Sequence, residues 1–180
     1  MATQATANGS TPETLWFLGT LARMKLDGAQ TGGRFSLWDG VLPHDAAPPL
    51  HSHPQDETFY IVEGELTVWV VEPDQVDDGA AWVRELAQPC RPGSVVFAPA
   101  GMPHTFRVES DSARVVFVST PAGIEDYVRA LAEPAAWPWL PPPADGPRVS
   151  PDRIEAVERE LGVVRHGPRP PAADRSQPVP

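Results

Sequence analysis

Three candidate metal ligands lie close together in the segment HSHPQDE, residues 51–57. Residues two apart in a β-strand point to the same side, so the imidazoles of His51 and His53 can share one ion. The Pro-Gln-Asp that follows them is typical of a turn, which would bring the Glu57 carboxylate back to the same point. Two neutral imidazoles and one carboxylate form a common ligand set for divalent Fe, Mn, Co, Ni, Cu and Zn.

His104 is a fourth candidate ligand, and it follows a segment marked by glycine and proline. Gly93, Pro99 and Gly101 lie where a strand must stop and turn sharply before His104. Three histidines and one glutamate can leave one or two coordination positions open, whereas a structural metal site is normally closed. The four side chains together therefore predict a metal centre that binds a substrate or dioxygen.

The elements that must position these ligands are short β-strands. Between residues 13 and 120, turn signals separate short apolar runs, which include residues 35–38, 58–62, 66–71, 94–98 and 115–118. This pattern, with little helix, is typical of an antiparallel sandwich or barrel. Helices are predicted to start at Thr120-Pro121 and at Ser150-Pro151-Asp152, because each start has a capping residue followed by proline.

Side-chain parity predicts which residues share the barrel interior with the ligands. Phe59 and Ile61 have the same parity as Glu57, and Phe106 has the same parity as His104. Interior residues of a small barrel form its core and can also form the wall of a cavity. We therefore expect Phe59, Ile61 and Phe106 to face the interior and to bind the substrate.

The two ligand segments resemble the two conserved motifs of the cupin superfamily. His51, His53, Glu57 and Gly64 match the first motif, and Gly93, Pro99, Gly101 and His104 match the second with every spacing intact. Asp45 and Val108 stand where the motifs have glycine and asparagine, which are not metal ligands in the family. The resemblance implies an all-β fold, a cupin (jelly-roll-type) β-barrel with short C-terminal helices. It also implies one divalent transition metal per chain, held by His51, His53, Glu57 and His104, and a homodimer.

Several shorter segments resemble the bacterial cupins related to quercetin 2,3-dioxygenase: residues 16–19, 48–51, 57–60 and 120–123. This resemblance implies a metal-dependent dioxygenase that cleaves a hydroxylated aromatic or enol substrate with O2, with Glu57 as both ligand and general base. Two alternatives stay open. The site would also serve a non-oxidative isomerase, cyclase or decarboxylase, or a metal- or ligand-binding protein without turnover.

The composition divides the chain into four segments: a disordered tail (1–12), the barrel with its following helix (13–134), a Pro-rich connector with a C-terminal helix (135–167), and a second disordered tail (168–180). The connector could lie over the barrel or form a loose linker. We expect the former, because exposure of both Trp137 and Trp139 would be a liability. His166 is expected to be solvated.

Charge and composition exclude several classes of partner. With 180 residues and a formal net charge of −10, the chain is repelled by nucleic acids and by anionic membrane surfaces. The sequence has no run of 18 apolar residues, so it predicts no membrane-spanning helix. The single cysteine, Cys90, excludes an intrachain disulfide. Because the polar N-terminal residues do not resemble a signal peptide, we expect a cytoplasmic protein.

Overall fold

The computed structural model describes residues 13–76, 83, 86–142 and 148–172, and two antiparallel sheets make up most of this part of the chain. In chain order the strands are β1 (Thr14–Phe17), β2 (Thr20–Leu26), β3 (Ser36–Pro43), β4 (Leu50–Ser52), β5 (Asp56–Glu63), β6 (Leu66–Val70), β7 (Gln88–Cys90), β8 (Val95–Ala98), β9 (His104–Val108), β10 (Ser112–Thr120), β11 (Ala132–Pro134) and β12 (Val164–Gly167). One sheet has the order β11-β1-β2-β3-β10-β5-β8, and the other has the order β12-β4-β9-β6-β7. The predicted all-β fold is confirmed.

The described helices are short: α1 (Gly28–Thr31), α2 (Ile124–Ala130) and α3 (Pro151–Leu161), with a 3-10 turn at Pro73–Gln75. The start of α3 is as predicted, because the Ser150 hydroxyl accepts a hydrogen bond from the Arg153 N–H at 3.3 Å. By contrast, α2 begins later than the predicted start at Thr120, since Thr120 still pairs with Asp56 as part of β10. In the part of the chain that the structure describes, no helix has the length and apolar character needed to cross a membrane.

The interior between the two sheets is built in layers. Alternate residues of β10 point inward, and Phe117 lies directly between Trp38 on β3 and Phe59 on β5. Its ring stacks on Trp38 at 4.0 Å between centroids and meets Phe59 edge-on at 5.4 Å. Such aromatic pairs add about 0.5–1.5 kcal/mol beyond the burial of their area. Because Leu66 and Val68 of β6 join the same core, the two sheets pack face to face.

The Pro-rich connector lies against β1 and β2. The Trp137 ring contacts Trp16 at 4.7 Å between centroids, and the Trp16 indole N–H donates to the Trp139 carbonyl at 2.8 Å. Arg23 donates to the carbonyl of Pro138 at 3.2 Å. Trp137 and Trp139 nevertheless remain 44% and 71% exposed, so the connector lies along the sheet as expected but does not bury its two tryptophans.

The C-terminal segment closes one edge of the five-stranded sheet, in contrast to the prediction that His166 is solvated. This histidine lies on β12, which pairs with β4, and its Nε2 is 2.8 Å from the Ser52 hydroxyl. The carbonyl of Pro168 accepts the Leu50 N–H at 3.2 Å, and that of Pro171 accepts a hydrogen bond from Arg107. Residues 168–172 thus differ from the predicted disordered tail, whereas 1–12 and 173–180 lie outside the described residues.

We expect Gly64→Ala to destabilise the fold by about 3 kcal/mol or more. Gly64 has φ +79°, and an added Cβ would lie 2.7 Å from Ala113 Cα and even closer to the Ser112 carbonyl. Gly93 is the matched control, since its φ is +93° but nothing lies within 4 Å of its added Cβ. Gly93→Ala should cost only the backbone strain, about 1–2 kcal/mol. Urea unfolding measures both variants, and equal losses would contradict the contact argument.

Candidate metal centre

The three predicted histidines come together on neighbouring strands of the five-stranded sheet. His51 lies on β4, directly opposite His104 at the start of β9, and His53 follows β4 by one residue. Their nitrogen atoms lie within 4.8 Å of one another. His53 and His104 are only 3% and 1% exposed, so the cluster lies in the barrel interior.

Glu57 reaches the same point from the opposite sheet. Its Oε2 atom lies 3.4 Å from Nε2 of His53 and 3.3 Å from Nε2 of His104. Glu57 is the second residue of β5, so the turn after His53 carries the chain from one sheet to the other. The carboxylate therefore faces the imidazoles across the interior, as the turn in the sequence predicted.

Hydrogen bonds between loops hold the two ligand segments in register. The Gly101 N–H donates to the His53 carbonyl at 2.9 Å, and the Ala100 N–H donates to Oδ1 of Asp56 at 2.8 Å. The loop before His104 is thereby tied to both ends of the turn between β4 and β5. Gly101 has φ +74°, a left-handed conformation that favours glycine, so it lets the loop turn sharply before His104.

The backbone also determines which nitrogen atoms face the centre. Nδ1 of His51 lies 2.8 Å from the Pro49 carbonyl, and Nδ1 of His104 lies 2.8 Å from the Met102 carbonyl. A carbonyl only accepts hydrogen bonds, so each Nδ1 must carry a proton, and in the neutral imidazole each Nε2 then keeps its lone pair. This is the arrangement in which histidine binds metals, with the second nitrogen held by a neighbouring acceptor.

The electrostatics favour the protonation states that bind a metal. Burial, together with the nearby His104, lowers the pKa of His51 to about 3. Burial alone would raise the pKa of Glu57, but the close approach of the His104 and His53 imidazoles outweighs burial and holds this pKa well below its usual range. At neutral pH the imidazole of His51 is thus neutral and the carboxylate is ionised.

The residues fit a divalent transition metal. Nε2 of His104 is buried and makes no hydrogen bond with any described residue. Leaving a buried acceptor unpaired is costly, and a cation among three imidazoles and a carboxylate would remove that cost. This set of donors does not select one metal, because nitrogen and oxygen donors of this kind suit several first-row ions.

Comparison with known proteins agrees with this geometry. Residues 39–121 match the Cupin domain family (Cupin_2), and this stretch contains all four converging residues. The stretch from residue 39 to residue 121 is therefore a cupin domain. The two sheets of the chain, with the candidate metal ligands between them, form the jelly-roll-type fold that the sequence motifs implied.

Individual relatives of this cupin match only in part. Quercetin 2,3-dioxygenase of Bacillus subtilis (strain 168) is 32% identical over 105 residues, which are 58% of this chain but 27% of the dioxygenase. Oxalate decarboxylase of Bacillus subtilis superposes with a TM-score of 0.54 at 18% identity, covering 68% of this chain and 31% of that one. The Lactobacillus farciminis oxalate decarboxylase formate complex has a TM-score of 0.54 at 16% identity, covering 68% and 35%. Both decarboxylase structures are therefore similar to this chain in fold.

One of the three predicted substrate-binding residues, Phe59, lies beside the candidate metal centre, and a second, Phe106, packs against Phe59. The Phe59 ring lies 6.0 Å from the His104 ring, and Phe106 lies 6.1 Å from Phe59. Ile61 is fully buried one layer further along β5, opposite Val115. Phe59 and Phe106 thus form an aromatic wall next to the ligands, whereas Ile61 lies behind it.

A surface cavity of about 330 Å³ lies apart from the ligands. It is lined by residues around α1 and the start of α2, among them Asp27, Glu125 and Arg129. Asp27 is already paired with Arg129 at 2.9 Å, and Glu125 accepts the Gly28 N–H at 2.8 Å. None of the residues that line it is a candidate metal ligand, so the cavity is not part of the candidate metal centre.

The contacts that support His51 from behind could not be predicted from the sequence. Arg165 on β12 pairs in register with His51, and its guanidinium binds the nearly buried Glu158 on α3 at 2.8 Å. The Tyr127 hydroxyl on α2 lies 3.5 Å from the same carboxylate. Helices α2 and α3 therefore hold β12 against the strand that carries His51. The only sequence signal for this role is the helical spacing of the apolar residues Ile154, Val157 and Leu161 in α3.

The metal-free cupin is expected to lose stability as the pH falls. The folded chain holds the pKa of His51 near 3, while the unfolded chain has the ordinary value of about 6.5. The unfolded state then binds an extra proton below pH 6.5, so the free energy of unfolding falls by up to about 2 kcal/mol between pH 7 and pH 5. Urea midpoints of EDTA-treated protein measure this. His51→Gln should remove most of this loss of stability between pH 7 and pH 5. If the variant keeps the wild-type pH dependence, His51 is not the cause of the loss.

Proposed function

We propose that this cupin is a metal-dependent dioxygenase that cleaves a hydroxylated aromatic or enol substrate with O2. The observation that carries the proposal is the convergence of His51, His53, Glu57 and His104 beside the aromatic wall of Phe59 and Phe106. The partial similarity to a quercetin 2,3-dioxygenase supports the oxidative form of this chemistry.

Each residue of the centre has a separate task. A bound divalent transition metal would supply Lewis acidity and, if redox-active, electron transfer. His51, His53 and His104 would hold it through neutral imidazoles. Glu57 would take the proton of a substrate hydroxyl at Oε2, because the carboxylate is ionised, buried and placed among the imidazoles. A positioned base of this kind contributes about 10²- to 10⁴-fold to a rate.

The aromatic wall would orient the substrate and exclude water. Phe59 and Phe106 lie at about 67° to each other, so they offer both a face and an edge to a flat ring. Ile61, one layer further along β5, would close the site behind the two rings. Replacing water with these apolar side chains strengthens the electrostatic interactions at Glu57.

An oxygen electrode tests the proposal directly. Protein purified without an affinity tag is reloaded with each candidate metal and supplied with quercetin or catechol, with His104→Ala as the inactive control. Oxygen consumption that matches product formation supports the dioxygenase. Turnover under anaerobic conditions would support the non-oxidative alternative instead, and binding without turnover would support a ligand-binding protein.

We also propose that the cupin is a homodimer that pairs through the outer face of its seven-stranded sheet. Tyr60, Val95 and Phe97 are 45%, 63% and 55% exposed there, on β5 and the edge strand β8. A cluster of exposed apolar side chains at a sheet edge is typical of an interface.

Phe97→Glu is therefore expected to give a monomer in light scattering, because a charge would be buried without a partner. Val164, which is 51% exposed on β12, is the matched control, and Val164→Glu should leave the dimer intact. If the wild type is a monomer at micromolar concentration, or if Phe97→Glu and Val164→Glu are both dimers, this interface is contradicted.

A further inference from the structure

The seven-stranded sheet carries a row of polar residues at the metal-binding end of the barrel interior. Ser119 on β10 lies directly opposite Glu57 on β5 and also directly opposite Ser36 on β3. Both serines are fully buried. Residues opposite each other on neighbouring strands point to the same face, about 5 Å apart. The two hydroxyls therefore line the interior on the same side as the Glu57 carboxylate.

Neither hydroxyl is hydrogen-bonded to a described residue. Among the described residues, the buried side-chain atoms without a hydrogen-bond partner are Ser36 Oγ, Trp38 Nε1, His53 Nδ1, His104 Nε2 and Ser119 Oγ. All five belong to the metal centre or to the facing strands β3 and β10. Unpaired buried polar groups destabilise a folded chain, so their concentration at one place points to a ligand that satisfies them.

Of the two serines, Ser119 lies closer to the metal centre. Ser36 also lies near the Glu125 carboxylate of α2, although not in hydrogen-bonding geometry. That carboxylate is occupied by the backbone N–H groups of Gly28 and Gly123, at 2.8 and 2.7 Å. Ser119 lies between Ser36 and Glu57 in the row, one strand spacing from the carboxylate.

We propose that Ser119, with Ser36 beside it, binds a second oxygen of the substrate next to the oxygen held at the metal centre. The inference rests on the proposed function and narrows its substrate class. A catechol, an enediol or a hydroxyketone has oxygens on two adjacent carbons, so it can present one to the metal centre and the other to Ser119. A substrate with a single oxygen cannot make both contacts.

Stability distinguishes a binding role from a structural one. If Ser119 serves the substrate, Ser119→Ala removes an unpaired buried hydroxyl, and the melting temperature stays the same or rises. If the hydroxyl instead holds the sheet together, the melting temperature falls. Ser112→Ala is the matched control, because Ser112 is on the same strand but exposed at its other end.

The test is an anaerobic titration of metal-loaded protein, followed by absorbance, with two chromophores. 4-Nitrocatechol has two adjacent oxygens, and 4-nitrophenol has one. Ser119→Ala should weaken nitrocatechol binding about 10-fold, or about 1.4 kcal/mol, and Ser36→Ala should weaken it less. Binding of nitrophenol should stay within about twofold of wild type, and metal content should not change.

The outcomes separate this inference from the proposed function. The role of Ser119 is wrong if Ser119→Ala binds nitrocatechol as tightly as the wild type does. It is also wrong if the variant binds both probes more weakly to an equal degree and has a lower melting temperature. Either outcome would leave the dioxygenase proposal standing. Selective weakening in a protein that consumes no O2 would support the role of Ser119 while contradicting the dioxygenase. If the wild-type protein binds neither probe, both proposals are contradicted.

Discussion

Replacing Glu57 with Gln is expected to lower turnover per bound metal ion by about 10²- to 10⁴-fold. Gln keeps the side-chain length and one oxygen, but its amide cannot accept a proton at neutral pH. It is a weak neutral ligand, yet three imidazoles remain, and three histidines suffice for a tight site in other metalloenzymes. The variant should therefore keep a substantial part of its metal while losing the base.

The measurement is turnover and metal content in the same preparation, once a substrate has been found. Glu63→Gln is the matched control, because Glu63 lies on the same strand but its side chain is 71% exposed. This control should behave like the wild type. If the Glu57 variant loses metal and activity together, with turnover per metal ion near the wild-type value, Glu57 is a ligand and not a base.

Replacing His104 with Ala is expected to weaken metal binding by more than about 100-fold, since even changes to groups that support a ligand cost 10- to 100-fold. His104 has the central position, with its ring 4.7 Å from His51 and 4.9 Å from His53. Its Nε2 also lies 3.3 Å from the Glu57 carboxylate. Its loss removes one donor and leaves Glu57 facing only His53.

Competition with a chromophoric chelator measures this affinity in the wild type and the variant. His44→Ala is the control, because His44 contacts the Ser110 carbonyl at 3.0 Å and is not part of the histidine cluster. Urea unfolding of both metal-free variants shows whether the fold is kept. A folded His104 variant with wild-type metal affinity would exclude this histidine as a ligand.

The centre was predictable from the sequence where its geometry is local. His51 and His53 share a side because of strand periodicity, and Glu57 follows after a single turn. His104 is different, since its place opposite His51 depends on pairing between β4 and β9, which are far apart in the chain. The glycine and proline before His104 marked it as a candidate ligand, and the resemblance to a second family motif supported that choice, but neither shows which strand lies opposite it.

Features that depend on strand order could not be predicted. Ser36 and Ser119 join Glu57 in one row only because β10 lies between β3 and β5, and nothing in their local sequence indicates this order. The contacts of Pro168 and Pro171 were missed for a different reason. Proline-rich composition is typical of disorder, but their carbonyls still accept hydrogen bonds from a sheet edge and a nearby arginine.

X-ray absorption spectroscopy of untagged protein, together with elemental analysis, tests the central claim most directly. We predict about one divalent transition metal per chain, with three imidazole nitrogens and at least one carboxylate oxygen at about 2.0–2.2 Å. His51→Ala should lose one imidazole from that shell or lose the metal altogether. A wild-type chain that stays metal-free after incubation with each candidate ion, or a His51→Ala chain with an unchanged shell of three imidazoles, would contradict the account.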